Sequence, residues 1–250
     1  VVDDIWLWGT HIGIKSSGND CRITRISGRY DYGSAPGANS ALVWLAGGAR
    51  IMLDDLSVSG QLYGPESIVL IGKGNAAAMS MIDINNVMTT EQSIPVNIVA
   101  DTANISMVSV NGVIHAGSTG ETIDALVKLV TSGSAAISAV NINGLVANAI
   151  ASALVAIIQG SSASTYYVTI GSGVIYGSTG SGVSLTRTNG TLNYVTIGSD
   201  VNAIVRATPV LMTGTMSNIL GADGGGGFRA PQATSTEIAS SSSDINQKNK

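Results

Sequence analysis

Residues 105–117 read ISMVSVNGVIHAG, and 32 positions later residues 137–149 read ISAVNINGLVANA. A chain that repeats itself at such a distance is first to be tested as a stack of repeats. With the glycine of the shared NG as anchor, equivalent positions are Gly28, Gly60, Asn86, Gly112, Gly144, Ser172 and Ser199. The steps between them are 32, 26, 26, 32, 28 and 27 residues. Two positions before the anchor stand Ile26, Val58, Ile84, Val110, Ile142, Ile170 and Ile197, all β-branched. Four before it stand Thr24, Leu56, Ile82, Val108, Val140, Val168 and Val195. Between these columns lies a polar one: Arg25, Ser57, Asp83, Ser109, Asn141, Thr169 and Thr196. Alternation with period 2 is the signature of a strand with one face inside and one outside.

A second strand follows in each repeat, with inward pairs Val43/Leu45, Val69/Ile71, Val96/Ile98, Val127/Leu129, Val155/Ile157 and Val183/Leu185. The passage from this strand to the next repeat is nearly constant, whereas the one from the anchor to this strand varies from 9 to 15 residues. No single repeat can bury its own apolar face. Coils stacked about 4.8 Å apart can, by turning each column into an interior ladder. The pattern predicts an all-β, right-handed parallel β-helix of about seven to eight coils over residues 1–221. An irregular Gly/Ser-rich connector or tail is expected over residues 222–250. The segment STGETIDALVKLV (118–130) also carries a capping-box pattern at Ser118 and Glu121. A short helix after Gly112 therefore stays open, although the strand column at Val127/Leu129 opposes helix beyond that loop.

The composition agrees. Charged residues make up 11% of the 250 and aromatics 4%, with 31 glycines. Like charges in register at the coil spacing would repel, so a stacked ladder favours small, uncharged side chains. The longest apolar run, residues 145–158, is short and interrupted by Asn148 and Ser152, so no membrane insertion is expected. A net charge of −4 and thinly spread basic residues argue against nucleic acid. The single cysteine, Cys21, excludes an internal disulfide, and no spacing of metal ligands is present. GKGNAA (72–77) matches a dinucleotide fingerprint superficially, but no helix follows it. The chain does not open on Met and reads as a piece of a longer protein.

Irregular coils of 26–32 residues followed by GGGGFRAPQATSTEIASSSSDINQKNK resemble bacteriophage tailspike and tail-fibre proteins with a pectate-lyase-like β-helix. The resemblance covers about residues 10–221 at the level of repeat pattern. It implies a homotrimer on the virion, joined to other tail proteins and acting outside the cell. Such a spike recognises, and in many members cleaves, a bacterial surface polysaccharide, without a cofactor. A non-catalytic receptor-binding or structural fibre shaft is the alternative. A surface adhesin would share the fold, but its repeats are usually more regular. The outward column Trp44, Leu70, Asn97, Lys128, Ala156, Ser184, Leu211 fits a trimer, because Trp44 and Leu70 there need a cover.

Glycan cleavage by a hydrolase needs paired carboxylates, and by a lyase a base with a cation or metal beside it. Asp55 and Asp83 fall on outward positions of successive coils, two residues apart along the strand, with Arg25 above and Asp54 at a neighbouring corner. These are the expected catalytic candidates, weighed against a solvated acidic patch balanced by Arg22 and Arg25. Expected sugar contacts are Arg25 on the strand and Tyr30, Asp31, Tyr32, Tyr63, Glu66 and Glu121 from loops that leave the coil at one corner. Tyrosine rings suit pyranose CH faces, while charged groups bond hydroxyls. His115 reads as a loop hydrogen-bonder. The later tyrosines Tyr166, Tyr167, Tyr176 and Tyr194 read as a binding stripe or, more economically, as a stack on one another.

Overall fold

Val110 and Ile142 are in-register neighbours, and their row runs the length of the interior through Ile23, Leu53, Ile84, Val110, Ile142, Ile170 and Ile197. None of these seven is more than 4% exposed. Burying each contributes about 1.5–3 kcal/mol. A computed structural model describes residues 1–9, 11–30, 38–60, 64–90, 93–117, 123–148, 151–176, 181–204, 208–222 and 227–229. The row belongs to a ten-stranded sheet of β1 (Val2–Trp8), β3 (Arg22–Tyr30), β5 (Ala49–Gly60), β7 (Met79–Thr89), β9 (Ile105–His115), β11 (Ile137–Asn148), β13 (Ser164–Tyr176), β15 (Thr191–Ile204), β17 (Ser217–Ala222) and β18 (Gly227–Arg229). The facing sheet has eight strands: β2 (Ile12–Ser16), β4 (Ala41–Leu45), β6 (Ser67–Ile71), β8 (Ile94–Ala100), β10 (Ile123–Thr131), β12 (Ala151–Gln159), β14 (Ser181–Arg187) and β16 (Thr208–Thr213). The chain alternates between the sheets, and every pairing is parallel except β17 with β18. This is a parallel β-solenoid.

The regular ladder amounts to about six turns, slightly fewer than the seven to eight expected. Register shifts at Ile170/Ser172, and the last parallel pairing spans only Asn193 to Thr196. Residues 123–131, where a helix after Gly112 stayed open, are strand β10. Of the expected tail, β18 continues the first sheet antiparallel, and residues 230–250 lie outside the described residues.

The long strands are not straight. In β9 the buried positions are Ile105, Val108, Val110, Val113 and His115, so alternation slips twice. The slips are Met107 and Gly112, whose φ values are +53° and +68°. A left-handed residue bends the chain, and each long strand becomes three short segments wrapped round the core. The first bend stacks Asp20, Arg50, Met81, Met107, Ala139, Tyr167, Tyr194 and Asn218. The second stacks Asp4, Arg25, Asp55, Asn86, Gly112 and Gly144.

These bends correct the expected alignment of the first two coils. Gly28 and Gly60 are not corners; Arg25 and Asp55 are. Leu56 therefore pairs with Ile26 and Val87, and Val58 with Gly28 and Thr89. The outward column of the second sheet is as expected in register, from Lys15 through Trp44 to Leu211. Its first members are not bare, however. Leu70 is 2% exposed within a cluster of Ala41, Val99, Trp44 and Val130, and Lys15 Nζ lies 4.2 Å from the Trp44 ring centroid. Trp44 and Leu70 are covered largely by their own chain.

Candidate functional site

A left-handed residue throws its side chain off the coil, so the second bend lines up Asp4, Arg25, Asp55 and Asn86 on one edge. Two residues further along, alternation returns an outward position: Ser27, Ser57, Met88 and Ile114. Between these two rows runs an open groove of about 480 Å³. Arg25, Asp55, Asn86, Ser27, Ser57 and Met88 line it, and Gly112 and Ile114 close its far end. At Gly112 and Gly144 the corner loses its side chain, so the polar edge belongs to the first coils only.

The polar groups are ordered by one another. Arg25 Nη2 lies 2.5 Å from Asp3 Oδ2, and Thr24 Oγ1 donates to Asp3 Oδ1 at 2.5 Å. Asn86 Nδ2 donates to Asp54 Oδ1 at 3.1 Å, and the hydroxyls of Ser27 and Ser57 are 3.0 Å apart. Further round, Asn111 Nδ2 donates to Asn85 Oδ1 at 3.2 Å, the start of an amide ladder that continues at Asn143. The Thr24 hydroxyl, with the Arg25 guanidinium, holds the Asp3 carboxyl below its ordinary value against the opposing effect of desolvation. Because that value is depressed, the stabilisation is present above the usual carboxylate range and is lost as pH falls through and below it. Asp3→Asn should therefore lower stability slightly near neutrality and converge with wild type in acid, which flattens the acid side of the stability curve. An acid titration followed by circular dichroism checks this; equal acid slopes in both proteins would refute it. The pair is exposed, so the effect is small.

The structure separates the expected catalytic pair. Asp83 stands opposite Met52, so Asp55 lies three residues further along and one coil away, across the bend. It was expected two residues away on the same face. Asp54 pairs with Asn85 in the column before the bend, tied to Asn86, so among the described residues Asp55 is the one carboxylate lining the groove. Arg25 lies where a groove contact was expected. Tyr30 does not: it is fully buried against Gly28 and Leu42. Glu66 is exposed near the start of β6, where its carboxylate accepts from the Asn39 backbone N–H. Asp31, Tyr32, Tyr63 and Glu121 lie outside the described residues.

Two residues of the site escaped the sequence reading. Trp6 pairs with Ser27 and so heads the outward row Ser27, Ser57, Met88, Ile114. Trp8 pairs with Arg29, whose guanidinium carbon lies 5.5 Å from its ring centroid. Their exposures of 62% and 64% are high for indoles. The available signal was WLW (6–8), two tryptophans at strand spacing on one face. Among the described residues no group of three or more His, Cys, Asp or Glu side chains could hold a metal ion. No family model, curated protein or solved structure matches this chain.

Proposed function

We propose that this chain binds a bacterial surface polysaccharide along the groove of the second bend, as part of a phage tailspike or tail fibre. The observation that carries the reading is the exposed Trp6 ring set in line with a groove of hydroxyls, one amide, one guanidinium and one carboxylate. A pyranose has CH faces that rest on aromatic rings and hydroxyls that such polar groups bond, so one row serves both. The row advances by one coil at a time, about 4.8 Å, and so presents repeated contacts to a linear polymer. Homotrimeric assembly, contact with other tail proteins and location on the virion belong to the same proposal through the resemblance of the repeat pattern.

Binding is supported better than cleavage. Glycoside hydrolysis needs two carboxylates roughly 5–9.5 Å apart across the scissile bond. Among the described residues the groove supplies Asp55 alone. Cleavage is therefore the second reading: hydrolysis requires a further acid, whereas a lyase would use Asp55 as base beside the Arg25 cation.

Affinity electrophoresis in gels containing host capsule or O-antigen separates these outcomes. Trp6→Ala should reduce retardation about tenfold in apparent affinity, from the loss of one stacked ring. Asp55→Asn should weaken binding less and leave the melting temperature unchanged. If wild type migrates freely through every such gel, the polysaccharide reading fails. Clearing haloes on host lawns that Asp55→Asn abolishes would instead establish cleavage.

A further inference from the structure

The first bend carries different side chains from the second. Its column reads Arg50, Met81, Met107, Ala139, Tyr167, Tyr194, Asn218, all at φ between +52° and +57°. Each such residue costs roughly 1–2 kcal/mol relative to an ordinary conformation, and glycine, which would remove that cost, is used at none of them. Met107, Tyr167 and Tyr194 are moreover 51%, 58% and 47% exposed. Strained backbone and bare apolar side chains are retained together, a combination that marks contact surfaces.

The geometry defines what fits. The rings of Tyr167 and Tyr194 are stacked, with centroids 5.1 Å apart and planes 19° apart. Tyr166 meets Tyr167 edge to face at 5.2 Å and 79°, which fixes the plane of the stack. The ring separation is close to one coil spacing, so the face of Tyr167 turned away from Tyr194 looks along the column toward Ala139. There the ridge is interrupted. Met107 and Tyr167 are two coils apart, about 10 Å, and the coil between them offers only the exposed methyl of Ala139. One side chain's thickness is missing. Ser106, Ser138, Ser109 and Asn141 occupy the neighbouring outward positions, and β9, β11 and β13 contain no Asp, Glu, Lys or Arg.

We propose that the notch over Ala139 seats one pyranose ring of an uncharged stretch of glycan. Its CH face lies on Tyr167, the Met107 thioether closes the other side, and its hydroxyls meet the flanking serines and Asn141. The absence of charge along these three strands selects against a uronate or phosphorylated unit at this place, since no side chain of theirs would compensate its charge. The choice of a glycan as ligand rests on the reading given above, but the site is a separate one on the opposite bend.

Filling the notch is the test. Ala139→Met and Ala139→Tyr introduce side chains that the same left-handed position already carries one coil away, at Met107 and Tyr167, so the fold is kept. Wild type, both variants and Trp6→Ala are titrated with a panel of neutral oligosaccharides, read by tyrosine fluorescence and affinity electrophoresis. Both Ala139 variants should weaken binding about tenfold and abolish the fluorescence change. Ala139 variants that bind like wild type, while Trp6→Ala does not, would overturn the notch and leave the groove standing. Failure of wild type to bind any member would overturn the notch, and free migration through the capsule and O-antigen gels as well would overturn both. An oligomer that Ala139→Met or Tyr194→Ala dissociates would make the ridge a self-contact and overturn the notch alone.

Discussion

Gln159→Leu should lower the melting temperature by roughly 10 °C or more, although no apolar contact is lost. Gln159 is fully buried at the end of β12, where the chain turns from one sheet to the other. Its Oε1 accepts from Thr131 Oγ1 at 2.8 Å and Thr165 Oγ1 at 2.5 Å. Its Nε2 donates to the backbone oxygens of Ser161 and Ala163, each at 2.9 Å. One amide thus satisfies four groups drawn from two coils, three of them buried. A leucine of similar size removes all four bonds; the Ala163 oxygen keeps the Thr191 N–H at 3.3 Å, and the other three groups are stranded at about 1–3 kcal/mol each. Rotation of the two hydroxyls recovers part of that, leaving a loss of roughly 3–5 kcal/mol. For a chain of this length each kcal/mol moves the midpoint about 2–4 °C. Gln159→Glu adds a sign test. Burial raises the folded-state pKa of the new carboxyl, so the variant should be least impaired at acid pH and lose stability as pH rises. Thermal melts followed by circular dichroism decide both. A midpoint within about 2 °C of wild type for Gln159→Leu would mean that the amide is not the centre of this turn.

The second large effect falls on an inconspicuous glycine. Gly48→Ala should cost at least about 3 kcal/mol, and Gly112→Ala about 1 kcal/mol. The sequence points the other way, because Gly112 belongs to the repeated NG. Gly112 does sit at φ +68°, but Asn86, Asp55 and Arg25 hold the same bend without glycine. An added Cβ there would meet Asn86 Oδ1 at 3.1 Å, the end of a side chain that can give way. Gly48 sits at φ +103°, and its Cβ would lie 2.2 Å from the backbone oxygen of Gly18. That oxygen belongs to the preceding coil and cannot retreat without moving the stack. Urea denaturation of the two variants side by side gives the comparison, and equal losses would refute this account of the corners.

How much of this was legible depends on which force is local. The inward ladders from Ile84 to Ile197, the second-sheet pairs such as Val96/Ile98 and the partnership of Val110 with Ile142 all follow from alternation along the chain. Solvent sorts side chains residue by residue, and a stacked repeat copies that sorting into space. An alignment anchored on glycine puts the first two coils out of register. A left-handed bend admits Asp, Asn and Arg as well, at a cost that packing of the whole stack covers. With Arg25 and Asp55 at the corner, the register moves, and Asp83 parts from Asp55.

The candidate site shows the same division. Arg25 and Asp55 were identifiable as outward polar residues, and Tyr166, Tyr167 and Tyr194 as a cluster that stacks. Tyr30 was misplaced because it ends β3 turned into the core beside Gly28, which no pattern of polarity reveals. By itself the sequence determined a parallel solenoid with a low-charge surface, since period and polarity are properties of neighbours along the chain. Only the tertiary structure decided which coil position faces which, and with it the row from Trp6 to Ile114 and the gap over Ala139. Register is a contact between residues 21 to 32 positions apart, and it is set by where each strand bends.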